Sequence, residues 1–81
     1  MNHTRAISLT ELSVGNHGTI LALNIGTVGA TRLVSLGFTL GTEVSMIQNY
    51  GRGPLIVSVR GTRVALGRVE AAKIVVARSM E

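Results

Sequence analysis

Cysteine, tryptophan and aspartate are missing from this 81-residue chain, and proline, phenylalanine and tyrosine occur once each. Without cysteine there are no disulfides, no thiolate metal sites and no thiol nucleophile, so a reducing compartment, the cytoplasm, is the expected setting. With so few aromatics the surface lacks the stacking platforms that hold single-stranded nucleic acids. The core must be built from Val, Ile and Leu, and its β-branched members favour strands. Apolar runs are short: Ile74-Val-Val-Ala77 falls far below the ~20 residues a membrane helix requires, so no insertion is expected. Met1-Asn2-His3-Thr4-Arg5 leads into polar residues and an acid, so no secretory signal is read there.

Carboxylates are equally sparse. The acids are Glu11, Glu43, Glu70 and Glu81; Glu11 is taken by a helix cap, Glu81 is terminal, and nothing sets a serine, His17 and an orienting acid together. Catalysis is not expected. His3, read in an N-terminal tail, and His17, read in a turn, are the two imidazoles. Neither has a carboxylate cluster beside it, so no metal site and no cofactor are expected. Gly26-x-x-Gly29-x-x-Arg32 precedes a helix but lacks the lysine and hydroxyl spacing of a phosphate-binding loop.

What the chain does have is positive charge, glycine and alternation. Eight Lys or Arg against four acids give a net charge of +4, which permits an acidic partner, an anionic lipid surface or nucleic acid. The basic residues are spread along the chain without a run, as solubilising charge would be. Ten glycines imply many tight turns. The length suits one small domain over residues 1–81, able to bury about 60% of the surface its unfolded chain exposes.

The pattern predicts mostly strands. Ser8-Leu-Thr-Glu11 fits a capping box flanked by Ile7 and Leu12 as its hydrophobic staple, so one helical turn is expected there. A strand follows at Thr19–Leu23, then a glycine-punctuated loop from Asn24 to Gly29. Ala30, Leu33, Val34 and Leu36 share one side of a short helix over about Ala30–Leu36, with Arg32 and Ser35 facing away. Gly37 is placed to end that helix and to return Phe38 onto Leu33. Further strands are read from Thr42, over Leu55–Arg60, over Thr62–Leu66 and over Lys73–Arg78. A flexible turn, Asn49–Pro54, and a helical turn, Gly67–Ala72, lie between them. A hairpin centred on Gly61-Thr62 would pair Arg60 with Arg63, Val59 with Val64 and Val57 with Leu66. About five strands with short links are best protected by curling up, which gives a mainly β fold: a small SH3-like barrel with one plugging helix and one or two helical turns.

Leu12-x-x-Gly15-x-x-Gly18-x-Ile20, Arg32-Leu-x-x-Leu-Gly-Phe-Thr-x-Gly-Thr-x-Val44, Gly53-Pro-Leu-x-Val-x-Val-x-Gly61, Ala65-Leu66, Glu70-Ala71 and Ile74-x-Val76 follow in order. Together, from about Ile7 to Arg78, they resemble the FeoA family of ferrous iron transport accessory proteins. Leu40 departs from the family, which usually carries proline before that glycine; proline there would only stiffen the turn. The resemblance implies a cytoplasmic SH3-like domain, held at the membrane through a ferrous iron permease with a cytosolic GTP-binding portion, and no enzymatic activity of its own. The domain is also similar to the C-terminal module of some iron-dependent repressors, so a stand-alone module of that kind is one alternative; a nucleic-acid-binding small barrel, with which the basic balance is compatible, is the other. The large or basic residues unclaimed by the core pattern, Ile25, Val28, Arg32, Tyr50 and Arg52, are the expected partner contacts. An exposed strand edge or apolar loop would allow weak self-association.

Overall fold

Alternation of apolar and polar residues builds the sheet, and capping chemistry sets where the chain leaves it. A computed structural model describes residues 3–80, with side chains described for residues 5–78; Glu81 and the side chain of His3 lie outside these. The elements are β1 (His3–Ser8), a single 3-10 turn (Leu9–Glu11), β2 (His17–Leu23), α1 (Thr27–Ser35), β3 (Glu43–Gln48), β4 (Leu55–Val59), β5 (Thr62–Leu66), α2 (Arg68–Ala71) and β6 (Ile74–Met80). All described strand pairings are antiparallel, in the order β1-β6-β2-β3-β4-β5. The fold is the expected mainly β one, with six strands where about five were read. The additional strand is β1, which includes His3; its ladder to β6 sets Ile7 opposite Val76. It escapes sequence reading because its first residues carry no apolar alternation.

One face of the sheet holds the core. Val44 and Met46 of β3, Leu55, Val57 and Val59 of β4, and Ile74 and Val76 of β6 are all buried, joined by Leu33 of α1 and by Phe38. The Ser8 capping box forms as expected: the Ser8 side chain accepts from the Thr10 backbone and Glu11 reaches back to the Ser8 N–H. Ile7 and Leu12 on either side are both buried. Gly18 is buried in β2, where a Cβ would stand 3.0 Å from the Val76 side chain.

Helix α1 starts three residues earlier than the pattern suggested, so Thr27, Val28 and Gly29 belong to it and not to the preceding loop. Its C-terminus closes as a Schellman motif. Gly37, at φ +106°, lets the Phe38 N–H donate to the Leu33 carbonyl at 2.9 Å and the Gly37 N–H donate to Val34 at 3.0 Å. Leu33 and Phe38 are the plug; Val34 and Leu36, expected beside them, stay exposed. Leu36 falls beyond the last helical residue as the cap, turned away from the face that Leu33 buries.

The β4–β5 hairpin also differs from expectation. Its turn is centred on Arg60-Gly61, both at positive φ, and pairs Val59 with Thr62, Ser58 with Arg63 and Val57 with Val64. Moving the centre by one residue shifts each pairing by two, which preserves the parity that buries Leu55, Val57 and Val59. The apolar pattern therefore selects the face but not between these two registers. No Arg60–Arg63 pair arises. Arg60 instead donates from Nη2 to the Thr39 and Thr42 hydroxyls, at 3.2 and 3.3 Å. The sheet curls without closing, since β1 and β5 are not paired to each other.

Candidate partner-binding site

The outer face of β3, β4 and β5 is less polar than alternation alone would leave it. On β4 the inward residues are Leu55, Val57 and Val59, so Ile56 and Ser58 point outward. On β3 a bulge between Met46 and Gln48 gives the outer face two neighbouring side chains, Ile47 and Gln48. On β5, Arg63 and Ala65 are the outward, exposed pair. These side chains, with Val14 at one end and Tyr50 over them, line a groove of about 470 Å³. Val14 is 56% and Tyr50 77% exposed, large apolar surfaces that a folded chain gains nothing by leaving in water.

Two devices hold the rim. The Val14 turn is fastened to β3 by the Gly15 N–H donating to Met46 at 3.0 Å and the Met46 N–H donating to Asn16 at 3.1 Å. The Tyr50 loop is fastened by Asn49. Its Nδ2 donates to the Thr10 and Leu12 carbonyls at 3.0 and 3.1 Å, and its Oδ1 accepts from the Gly51 N–H at 3.0 Å and from Arg68. Both donor and both acceptor capacities of the amide are thereby used. One side chain joins the 3-10 turn, the β3–β4 loop and α2.

The five residues expected at a partner surface are dispersed. Tyr50 alone among them lines the groove, and Arg52 is exposed in the same loop, two residues on. Val28 stands at 87% exposure on α1, a separate element. Ile25 is half-buried and packs against the core, with Gly29 placed beneath it where a Cβ would clash with its side chain. Arg32 is not left over: Nη1 pairs with Glu70 Oε2 at 2.5 Å, tying α1 to α2. Reasoning from sequence missed Val14, Ile47, Gln48, Ile56, Arg63 and Ala65. The available signal was Ile56, an isoleucine at the polar parity of its strand.

Chemically the groove offers contact and a cation. Arg63 is its one charged lining residue, and no carboxylate or imidazole lines it. His17, at the start of β2 and not in a turn, bonds through Nδ1 to the Ser45 hydroxyl at 2.8 Å. Among the described residues no three His, Asp or Glu side chains converge, and no helix is long and apolar enough to cross a membrane.

Known proteins share this chain's sequence and shape. The FeoA domain model matches residues 7–78. A Methanocaldococcus jannaschii protein, provisionally named Fe(2+) transport protein A, is 36% identical over 62 residues, which span 76% of this chain and 74% of that one. The crystal structure of an iron uptake regulatory protein, FeoA, superimposes with a TM-score of 0.85 at 30% identity, covering 94% of this chain and all of the other. The zinc complex of Stenotrophomonas maltophilia FeoA, described as an SH3 domain protein and a candidate ferrous iron transport activating factor, gives 0.73 at 36% identity, covering 86% and 88%. The SH3 architecture given for the Stenotrophomonas protein fits the mainly β fold of this chain, and on sequence and fold together this chain belongs to the FeoA family.

Proposed function

We propose that the protein is a non-enzymatic, cytoplasmic accessory of ferrous iron uptake, a single domain over residues 1–81. It docks on the cytosolic GTP-binding portion of a membrane ferrous iron permease and modulates it. The observation that carries this reading is the outward-facing groove under Tyr50: apolar, bordered by arginine, and lined by no carboxylate or imidazole. Such a surface serves binding. Family membership supports iron transport as the process. Of the contacts expected from sequence, Val28, Tyr50 and Arg52 stand clear of the fold's own packing and meet the partner directly. Ile25 and Arg32 act behind them, by seating α1 and by tying it to α2.

Calorimetric titration of the full chain into the purified GTP-binding portion tests this. Tyr50→Ala should weaken binding by about tenfold or more, as removal of a central aromatic anchor does, and Arg52→Ala by less. Ala6→Ser, exposed on β1 at the opposite edge of the sheet from β5, should leave it unchanged. Wild-type affinity in Tyr50→Ala and Arg52→Ala together would remove the groove from the interface.

A further inference from the structure

We infer that the free edge of β5 takes up an extended segment of the partner protein as an added strand. That segment presents a carboxylate beside Arg63 and, two residues away on the same face, an apolar side chain beside Ala65. The inference deepens the docking reading and rests on it for the partner's identity; the mode of contact rests on the sheet edge.

β5 pairs with β4 and, among the described residues, with no other strand. The hairpin turn decides which of its backbone groups are used. With Arg60-Gly61 as a two-residue turn, Val59 and Thr62 form the closing hydrogen-bonded pair, and such pairs recur at Val57–Val64 and Leu55–Leu66. The pairs between them, Ser58–Arg63 and Ile56–Ala65, direct their N–H and C=O groups away from each other, so those of Arg63 and Ala65 face the open edge. The same two residues place their side chains in the groove. Backbone groups and groove side chains are thus offered together, which is the requirement for strand addition.

Register then fixes the chemistry of the added strand. Gln48, Ile56 and Ala65 form one cross-strand row, and Ser45, Ser58 and Arg63 the next on the same face. A strand ~4.8 Å beyond β5 continues both rows. Beside Ala65, a methyl short enough to leave Ile56 within reach, the row is completed by an apolar side chain; beside Arg63 it is completed by an anion. The groove has one cation and no acid, in a chain of net charge +4. That complementarity favours an acidic segment over a second copy, which would bring Arg63 and the whole positive charge against themselves.

The probe is a capped peptide of about nine residues, enough to span a strand of typical length, with threonine alternating with isoleucine and glutamate so that the last two share a face. Titrated into the full-length protein, it should shift the Arg63 and Ala65 amide resonances and slow their hydrogen exchange. Replacing its glutamate by lysine should weaken binding by about tenfold, and Arg63→Glu should reverse the preference. Ala65→Pro deletes an outward N–H without touching the β4 ladder, a substitution edge strands tolerate, and should abolish peptide binding. If that variant does not fold, exchange at the wild-type Ala65 amide decides: protection by peptide supports the inference, and unchanged exchange overturns it.

Unshifted Arg63 and Ala65 amides at millimolar peptide overturn it too. So does a shift of these amides with protein concentration alone, which would identify a second copy as the occupant. Equal affinity of wild type and Ala65→Pro for the GTP-binding portion would contradict strand addition and leave the docking reading standing. Peptide binding at this edge without any binding of the GTP-binding portion would do the reverse.

Discussion

Gly37 and Asn49 carry more of this structure than their size suggests. Gly37 occupies a left-handed conformation that an L side chain adopts only under strain, and a Cβ there would also stand 3.3 Å from Arg60 Cδ. Gly37→Ala should therefore cost about 1–2 kcal/mol in urea unfolding; wild-type stability would contradict the cap geometry. Asn49 is needed as an amide because it donates to two carbonyls and accepts from two N–H groups. Asn49→Asp keeps the acceptors but sets an oxygen against the Thr10 and Leu12 carbonyls. A loss of about 2 kcal/mol is expected, measured in the same way. The two residues differ in legibility. Gly37 was readable because its motif is local, a glycine and a phenylalanine one turn beyond Leu33. Asn49 was not, since its carbonyl partners lie 39 and 37 residues away in sequence and only the fold brings them near.

Among elements, those fixed by local chemistry were legible and those fixed by partners were not. The 3-10 turn announces itself through Ser8 and Glu11, and the end of α1 through Gly37. The start of α1 does not: glycines at 26 and 29 look like loop, yet Gly29 is helical, and it is a glycine there because Ile25 fills the space its Cβ would occupy. β1 exists through its ladder to β6, and alternation left the hairpin register open between two choices of equal parity. The Arg32–Glu70 tie between α1 and α2 is likewise tertiary. With the Arg32 side chain 56% and Glu70 21% exposed, solvent screens the pair. Glu70→Gln should cost under about 1 kcal/mol and the difference should shrink in high salt. A loss of several kcal/mol, independent of salt, would mean that Glu70 does more than pair with Arg32.

At the scale of the whole molecule, an open curled sheet leaves one face for the core and an outer face that solubility alone would make polar. The departures from polarity at Val14, Ile47, Tyr50 and Ile56, gathered into one groove, are what fold stability does not explain. The family was legible because its glycines and apolar positions are spread over the whole chain in a fixed order. The site was legible only at Tyr50 and its loop, because the groove is assembled from three strands, the Tyr50 loop and a turn, with Ile47 brought outward by a bulge. Val28 on α1 marks a second exposed position whose part in docking is tested along with it. The most direct measurement is an NMR titration of the full chain with the permease's GTP-binding portion, with and without nucleotide. Shifts should concentrate at Val28, Tyr50, Arg52, Arg63 and Ala65. Clear shifts confined to other residues, or none at all, would contradict docking through this groove.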